Sequence, residues 1–409
     1  MAHTRRVAHD THSTHRERST VTAFAWTLAA LCAISLLEVV LFAVRVPQLR
    51  TLARLSPPEP AHWPHVSVIV PARDEARDIG PALASRLADD YPDLEILVID
   101  DRSTDGTGDV ARAVAGADER VRVLRIDALP DGWLGKVHAL QAGTEATSGE
   151  WLLFSDADVY MTPGALRHAI ALAESDGLDM IALVPEYGAH SPLVVIAWTV
   201  FLRIIGVVLS PKAIRDPGSK QALGSGAFNL VRRSALDRTP GFEWLRLETG
   251  DDVSLAIMVK HHGGRLELMD GRGCACVDIY RDFGELLRGI EKNGGTSAAH
   301  PYRFTAGILA FLAVDWAPLM GVAVGLTAGL PWLAALSAIT FASMTAINAY
   351  ALRLNTGRWL PALAWPLGSG LLGWGLARST WLVRMRGGVV WRGTFHPLDE
   401  IHESRRFEL

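Results

Sequence analysis

Apolar and polar positions along this chain follow two regimes. In one, apolar residues run together for a bilayer's width; in the other, short apolar runs alternate with amphipathic stretches and end in clusters of charge. Four stretches belong to the first regime: Val21 to Val44, about Thr305 to Leu326 with Asp315 inside it, about Pro331 to Leu352, and about Leu360 to Val383. A helix needs ~20 apolar residues to cross a bilayer, so each is long enough to span. The first is too long for the apolar core of a secretory leader and no small-residue cleavage site follows it, so it reads as a retained anchor. The last, with Pro366, Gly368 and Gly370, is the weakest of the set.

The second regime fills the interval between the first two spans. Val66 to Val70 closes at Pro71, Leu94 to Ile99 closes at Asp100-Asp101, and Val121 to Ile126 and Trp151 to Phe154 follow. After the first of these, Ile79, Leu83 and Leu87 recur at helical spacing. Short strands alternating with helices predict a mainly parallel sheet covered on both faces. Ligands of such sheets gather beyond the carboxyl ends of the strands. A linker with Pro57, Pro58, Pro60 and Pro64 leads in and cannot be helical. A fifth apolar stretch, Pro192 to Leu209, is interrupted by Arg203 and predicts a helix lying in the membrane interface, with a buried core helix as the alternative. The expected organisation is a disordered tail over 1–20, an anchor over 21–46, an α/β domain over 60–300, membrane helices over 305–384 and a polar tail over 385–409.

Composition narrows this picture. Of 409 residues, 49% are hydrophobic, which suits a chain with spans. Forty basic and forty-four acidic residues leave a net charge of -4, so no global basic field points to nucleic acid. Three cysteines, Cys32, Cys274 and Cys276, make neither a disulfide framework nor a zinc ligand set.

The candidate chemistry lies at the strand ends. They read Pro71-Ala72-Arg73-Asp74-Glu75, then Asp100-Asp101-Arg102-Ser103-Thr104-Asp105-Gly106-Thr107, then Ser155-Asp156-Ala157-Asp158. Carboxylates gathered on one sheet edge repel, and a cation or a set of donors must offset them. In an extended segment residues i and i+2 face the same way, so Asp156 and Asp158 can approach one divalent cation. Oxygen ligands suit Mg²⁺ or Mn²⁺, which share their shell with phosphates. Asp100 and Asp101 are placed to accept hydrogen bonds from a base or ribose, and Thr104 or Asp105 to cap the next helix. No Gly-x-Gly-x-x-Gly follows the first strand, against a nicotinamide-dependent enzyme.

These three segments, in this order, resemble the family 2 glycosyltransferases with the GT-A fold, over roughly Val66 to Val277. The resemblance implies an inverting transferase using a nucleoside-diphosphate sugar, uridine being the favoured base, and a divalent metal. It assigns Pro71, Glu75, Asp100 and Asp101 to the nucleotide sugar and Asp156 and Asp158 to the diphosphate-metal unit. The run Pro130 to Gly143 and the segment Gly387 to Thr394 resemble bacterial hopanoid-associated and carotenoid glycosyltransferases. Lys136, inside the first, would meet the diphosphate as a point charge.

Glu248-Thr249-Gly250-Asp251-Asp252 opens a further helix, with Leu255 and Val259 on its inner face. The family carries an acidic pair here whose second member is the base; that maps to Asp252, with Asp251 standing where Glu is commoner. Gly224-Ser225-Gly226 would be a close-approach loop beside the donor sugar or acceptor. Arg288, Lys292 and Asn293 precede the second span, where the Gln-x-x-Arg-Trp motif of processive synthases is missing. The expectation is transfer of one sugar to a membrane lipid or isoprenoid hydroxyl, with a processive synthase or a non-catalytic scaffold as alternatives. Nucleotide sugars are cytoplasmic, which predicts an inner-membrane protein with a cytoplasmic catalytic domain. Four spans then place Arg384, Arg386 and Arg392 outside, against the preference of basic residues for the cytoplasm.

Overall fold

The computed structural model describes residues 2–188, 191–294, 301–391, 394–404 and 406. Its contacts divide the chain into two compact units: Met1–Val44, Ile196–Val207 and Arg303–Trp374 form one, and Arg45–Val195, Val208–Tyr302 and Gly375–Leu409 the other.

In chain order, helix α1 (Ala2–Arg45) leads to β1 (Val66–Ala72), α2 (Ile79–Leu87), β2 (Leu94–Asp101), α3 (Thr107–Ala115), β3 (Val121–Ile126), α4 (Gly135–Glu145) and β4 (Trp151–Phe154). Then come β5 (Tyr160–Met161), α5 (Ala165–Asp176), β6 (Met180–Val184), β7 (Glu186–Gly188), α6 (Pro192–Val208) and α7 (Pro211–Arg215). They are followed by β8 (Asn229–Arg232), α8 (Arg233–Leu236), α9 (Gly241–Trp244), α10 (Asp251–His261), β9 (Leu266–Asp270), β10 (Ala275–Asp278) and α11 (Phe283–Gly294). Three long helices, α12 (Pro301–Thr327), α13 (Pro331–Thr356) and α14 (Trp365–Arg386), precede the hairpin β11 (Gly388–Trp391) and β12 (Thr394–Pro397) and the short α15 (Leu398–Ser404).

The larger unit is built on a sheet of order β3-β2-β1-β4-β8-β6-β9. Only β8 runs against its neighbours, β4 and β6. The strands β1, β2, β3 and β4 stand where the sequence pattern puts them. Period-two alternation explains the two-sided burial: Val68 and Val70 face one core cluster, Ile69 the other. The chain winds from β1 through β2 to β3 on one side, then returns to place β4 on the other side of β1. The crevice beyond β1 and β4 is therefore the switch point of the sheet, where a ligand finds room between diverging connections.

The smaller unit is helical. Ser19–Gln48, Thr305–Thr327 and Pro331–Thr356 are helices long and apolar enough to cross a membrane. Gly321 and Gly325, one helical turn apart on α12, lie against Ser337 and Ala334 of α13, close enough that a Cβ on either would clash. Small residues at this spacing let two apolar helices approach closely.

Four expectations change. Helix α1 begins at Ala2, so the stretch 1–20 extends the anchor helix rather than forming a disordered tail; lengthening an existing helix adds a hydrogen bond per residue without a new nucleus. The last apolar stretch forms α14, which does not qualify as a span; Arg378, Arg384 and Arg386 and its glycines dilute it. Helix α6 is not laid wholly on a surface: Leu193, Phe201 and Val208 are exposed, but much of it is buried. Its portion in the helical unit buries Val200, Thr199 and Arg203 completely, and Arg203 donates to Glu38 of α1 and Asp315 of α12. The stretch 385–409 is no simple tail: Val389 and Ile401 are buried and the hairpin and α15 belong to the sheet-containing unit. Arg392 and Gly393 lie outside the described residues.

Candidate active site

The loops after β1 and β2 are stitched together. Asp74, at φ 54°, accepts from the Thr104 N–H at 2.8 Å and donates its own N–H to Ser103 Oγ at 3.0 Å. The Glu75 and Ala76 amides donate to Thr107 Oγ1 and Asp105 Oδ2, and Asp105 also accepts from the Thr107 N–H at the start of α3. The N-cap of α3 is Gly106, with no side-chain cap, rather than Thr104 or Asp105; Asp105 only holds the first helical residue, Thr107.

The two acids ending β2 part company. Asp101 lines the crevice, gripped by both Nε and Nη2 of Arg102 at 2.7 and 3.0 Å. Gly135, first in α4, packs so tightly on the Asp101 carboxylate that a Cβ would collide with it. Asp100 is 1% exposed and points the other way, accepting from Arg125 Nη1 at 2.7 Å and the Ser103 N–H at 3.2 Å. Asp100 and Arg125 are register partners in the β2–β3 ladder, so Asp100 is a fastening of the sheet and does not reach the crevice.

Asp156 and Asp158 both line the crevice. Burial foremost, then the charges of Asp156 and Glu75, pushes Asp158 up to about 7. Lys136 Nζ stands 2.7 Å from Asp156 and 3.0 Å from Asp251. Burial opposes its charge, but Asp156, Asp251 and Asp252 together raise its pKa well above the usual lysine value. Beneath the crevice lies Arg86 of α2, 2% exposed, donating from Nη2 to Ser155 Oγ and the Asp156 carbonyl. Burial lowers its pKa to about 10 against the pull of Asp158 and Asp156.

The Gly224–Gly226 loop joins this strand end to α10. The Asp156 N–H donates to the Gly226 carbonyl at 2.8 Å, and the Gly226 N–H donates to Asp252 Oδ2 at 2.9 Å. A Cβ at Gly224 would strike the Asp252 backbone, and one at Gly226 the Asp156 carboxylate. Both glycines are therefore demanded by close approach. The Ser225 N–H is held by Asn229 Oδ1 at 2.8 Å. Asp252 also accepts from the Val253 N–H; burial foremost, then Asp251, raises its pKa in spite of Lys136.

Pro71, Glu75, Asp101, Lys136, Asp156 and Asp158 share one cavity of about 190 Å³, and Asp251 and Asp252 line a small adjoining one with Lys136 and Asp156. A cleft of about 1060 Å³ opens beside them, also lined by Glu75, Asp156 and Asp158. Sequence reasoning missed Arg86, Asn229 and His396, the last reaching the inner cavity from β12. No local pattern marks them. Lys292 also lines that cavity; its position one turn beyond Arg288 on a polar helix face was a visible signal.

The mainly parallel sheet with acids at the ends of β1, β2 and β4 defines the GT-A class of fold. A mannosyltransferase from Pyrobaculum calidifontis, solved in complex with GDP-Man and Mn²⁺, shares it: the TM-score is 0.53 at 20% identity, over 88% of this chain and 99% of that one. Residues 67–239 match the model described as Glycosyl transferase family 2, and they form a family 2 glycosyltransferase domain. The 4,4'-diaponeurosporenoate glycosyltransferase of Staphylococcus haemolyticus is 30% identical over 243 residues, 58% of this chain and 63% of that one. The beta-monoglucosyldiacylglycerol synthase of a Nostoc species is 28% identical over 195 residues, 47% of this chain and 40% of that one. The chain spans between 32% and 63% of the length of the curated relatives it is compared with, among them a glycosyltransferase of Haloferax volcanii.

Proposed function

We propose that the protein transfers a single sugar from a nucleoside-diphosphate sugar, with uridine the favoured base, to a hydroxyl of a membrane lipid or isoprenoid, with inversion. The observation that carries this is one crevice at the switch point of the sheet, holding Asp156, Asp158 and Lys136 next to Asp251 and Asp252. The two relatives, one a glycosyltransferase of a carotenoid-type acid and the other a synthase of a glucosyl diacylglycerol, support an apolar acceptor.

Asp156 and Asp158 fit a divalent cation such as Mg²⁺ or Mn²⁺. Their oxygens are hard donors, and the raised pKa of Asp158 reflects burial first and then the neighbouring charges of Asp156 and Glu75, which a cation would offset. Among the described residues no group of three or more acid, His or Cys side chains is preassembled for a metal; a cation on these two carboxylates would share its shell with phosphate and water. Such an ion supplies charge neutralisation to the departing diphosphate.

Asp101, fixed by Arg102, and Glu75 offer acceptors to the nucleoside. Asp251 is tied to Lys136, which leaves Asp252 as the base. Its carboxylate takes the proton of the acceptor hydroxyl while that oxygen bonds to the anomeric carbon and the bond from that carbon to the diphosphate oxygen breaks. The nucleoside diphosphate leaves with the electron pair, met by Lys136.

Nucleotide sugars are cytoplasmic, which supports a catalytic domain on the cytoplasmic side of the inner membrane.

The test is release of nucleoside diphosphate from a panel of nucleotide sugars by the full chain in detergent, with Mg²⁺, Mn²⁺ or chelator, with and without membrane lipid. Lipid-stimulated, metal-dependent release and a glycosylated lipid in the mass spectrum are expected. No release from any donor would overturn the reading.

A further inference from the structure

The matched family segment ends at residue 239, yet the donor cavity does not. Helix α11, well beyond it, carries Lys292 into the cavity lined by Lys136, Asp156 and Asp158. Lys292 and Lys136 also line a second small cavity together with Asp251 and Glu248. Two ammonium groups are thus brought to one cavity from elements far apart in sequence, beside the carboxylates of Glu75, Asp156 and Asp158.

Lys136 already has carboxylate partners at 2.7 and 3.0 Å. A diphosphate carries more anionic oxygens than one ammonium can meet, and a cation on Asp156 competes for the carboxylate that now holds Lys136. Lys292 stands where the remaining oxygens would be met. Burial foremost pulls its pKa down, and Lys136 acts in the same direction against Asp251, Asp252 and Asp156. An arriving polyanion reverses that imbalance.

We propose that Lys292 binds the diphosphate of the donor and of the departing nucleoside diphosphate, forming with Lys136 a two-lysine clamp closed by a helix outside the family segment. The inference rests on the nucleotide-sugar reading of this cavity and adds to it a binding residue.

The experiment is calorimetric titration of the full chain in detergent with UDP, GDP, UMP and GMP, each with Mg²⁺. The variants are Lys292→Met and Lys292→Arg. For whichever nucleoside diphosphate the wild type binds, Lys292→Met should weaken binding about tenfold or more, the loss expected for one charge-assisted contact. Affinity for the matching monophosphate should stay within about twofold, which also shows that the variant is folded. Lys292→Arg should regain most of the diphosphate affinity. Equal diphosphate affinity in wild type and Lys292→Met would overturn the inference while leaving the donor reading intact, as would equal loss of mono- and diphosphate binding with no rescue by arginine. A wild type that binds no nucleoside diphosphate would overturn the donor reading and the clamp with it.

Discussion

Lys136 in one unit and Arg203 in the other each lie between two carboxylates, and the two triads are put to opposite uses. In the sheet-containing unit, Lys136 lies between Asp156 and Asp251 on the wall of a cavity, its side chain 30% exposed. In the helical unit, Arg203 lies between Glu38 and Asp315 with no exposure at all. There Ser369 adds a hydrogen bond to Asp315, and Phe311 and Trp365 turn ring faces to the guanidinium at 5.7 and 5.9 Å. A lysine is a mobile point charge that can exchange partners, whereas the planar fork of arginine holds two carboxylates in fixed directions. The first triad can open to a phosphate. The second is sealed, and breaking it strands charge in an apolar bundle.

The largest expected effect lies in the open triad. Asp156→Ala should cut sugar transfer by about 10³-fold, the scale of losing one focused electrostatic group, with thermal unfolding in detergent unchanged. Unimpaired turnover would end the assignment of Asp156.

In the sealed triad Arg203→Leu should cost about 3–5 kcal/mol of stability, the scale of breaking a buried pair, visible as a lower unfolding temperature or lost folded protein. Neutralising all three members together, as Arg203→Met with Glu38→Gln and Asp315→Asn, should recover much of that loss. If the single variant were as stable as wild type, the contrast between the triads would collapse.

Lys136→Met should sharpen it from the other side, lowering kcat/KM by about 10- to 100-fold, roughly 1.4–2.7 kcal/mol of transition-state binding. Stability should stay within about 1 kcal/mol because the ion pair is partly solvated.

The smallest effect is a pH limb. A base must be ionised, and burial and Asp251 hold the pKa of Asp252 above the ordinary aspartate value. The acid limb of kcat/KM should therefore fall at a higher pH than an unperturbed aspartate would give, with rate lost as pH drops through that raised value. Asp252→Asn should remove the limb along with most of the rate. A limb at the ordinary aspartate position would show that Asp252 is not the titrating base.

Much of the catalytic fold was legible because its signals are local. The four strands β1 to β4 are apolar runs closed by Pro71, by acids or by Ser155, and the Asp-x-Asp pair lies just past β4, meeting the crevice through a turn at Ala157 and Asp158 rather than an extended segment. Glycines Gly224 and Gly226 were readable as close-approach positions, although what they approach was not. The reading of α6 failed because Arg203 interrupts its apolar run and suggests a wet face, while its partners lie in α1 and α12, far along the chain. The hairpin near the C-terminus was missed because β11 packs against α11, far back in the chain, which no short window of sequence contains.

The sequence by itself therefore determined which elements form and which strand ends carry charge, since both follow from spacing of a few residues. Tertiary structure decided which of those charges are free to act. Asp100 and Asp101 are neighbours of identical type, yet the strand register hands Asp100 to Arg125 and the fold turns Asp101 to the cavity. A carboxylate is a ligand or a fastening according to the cation that packing brings to it, and that cation comes from elsewhere in the chain.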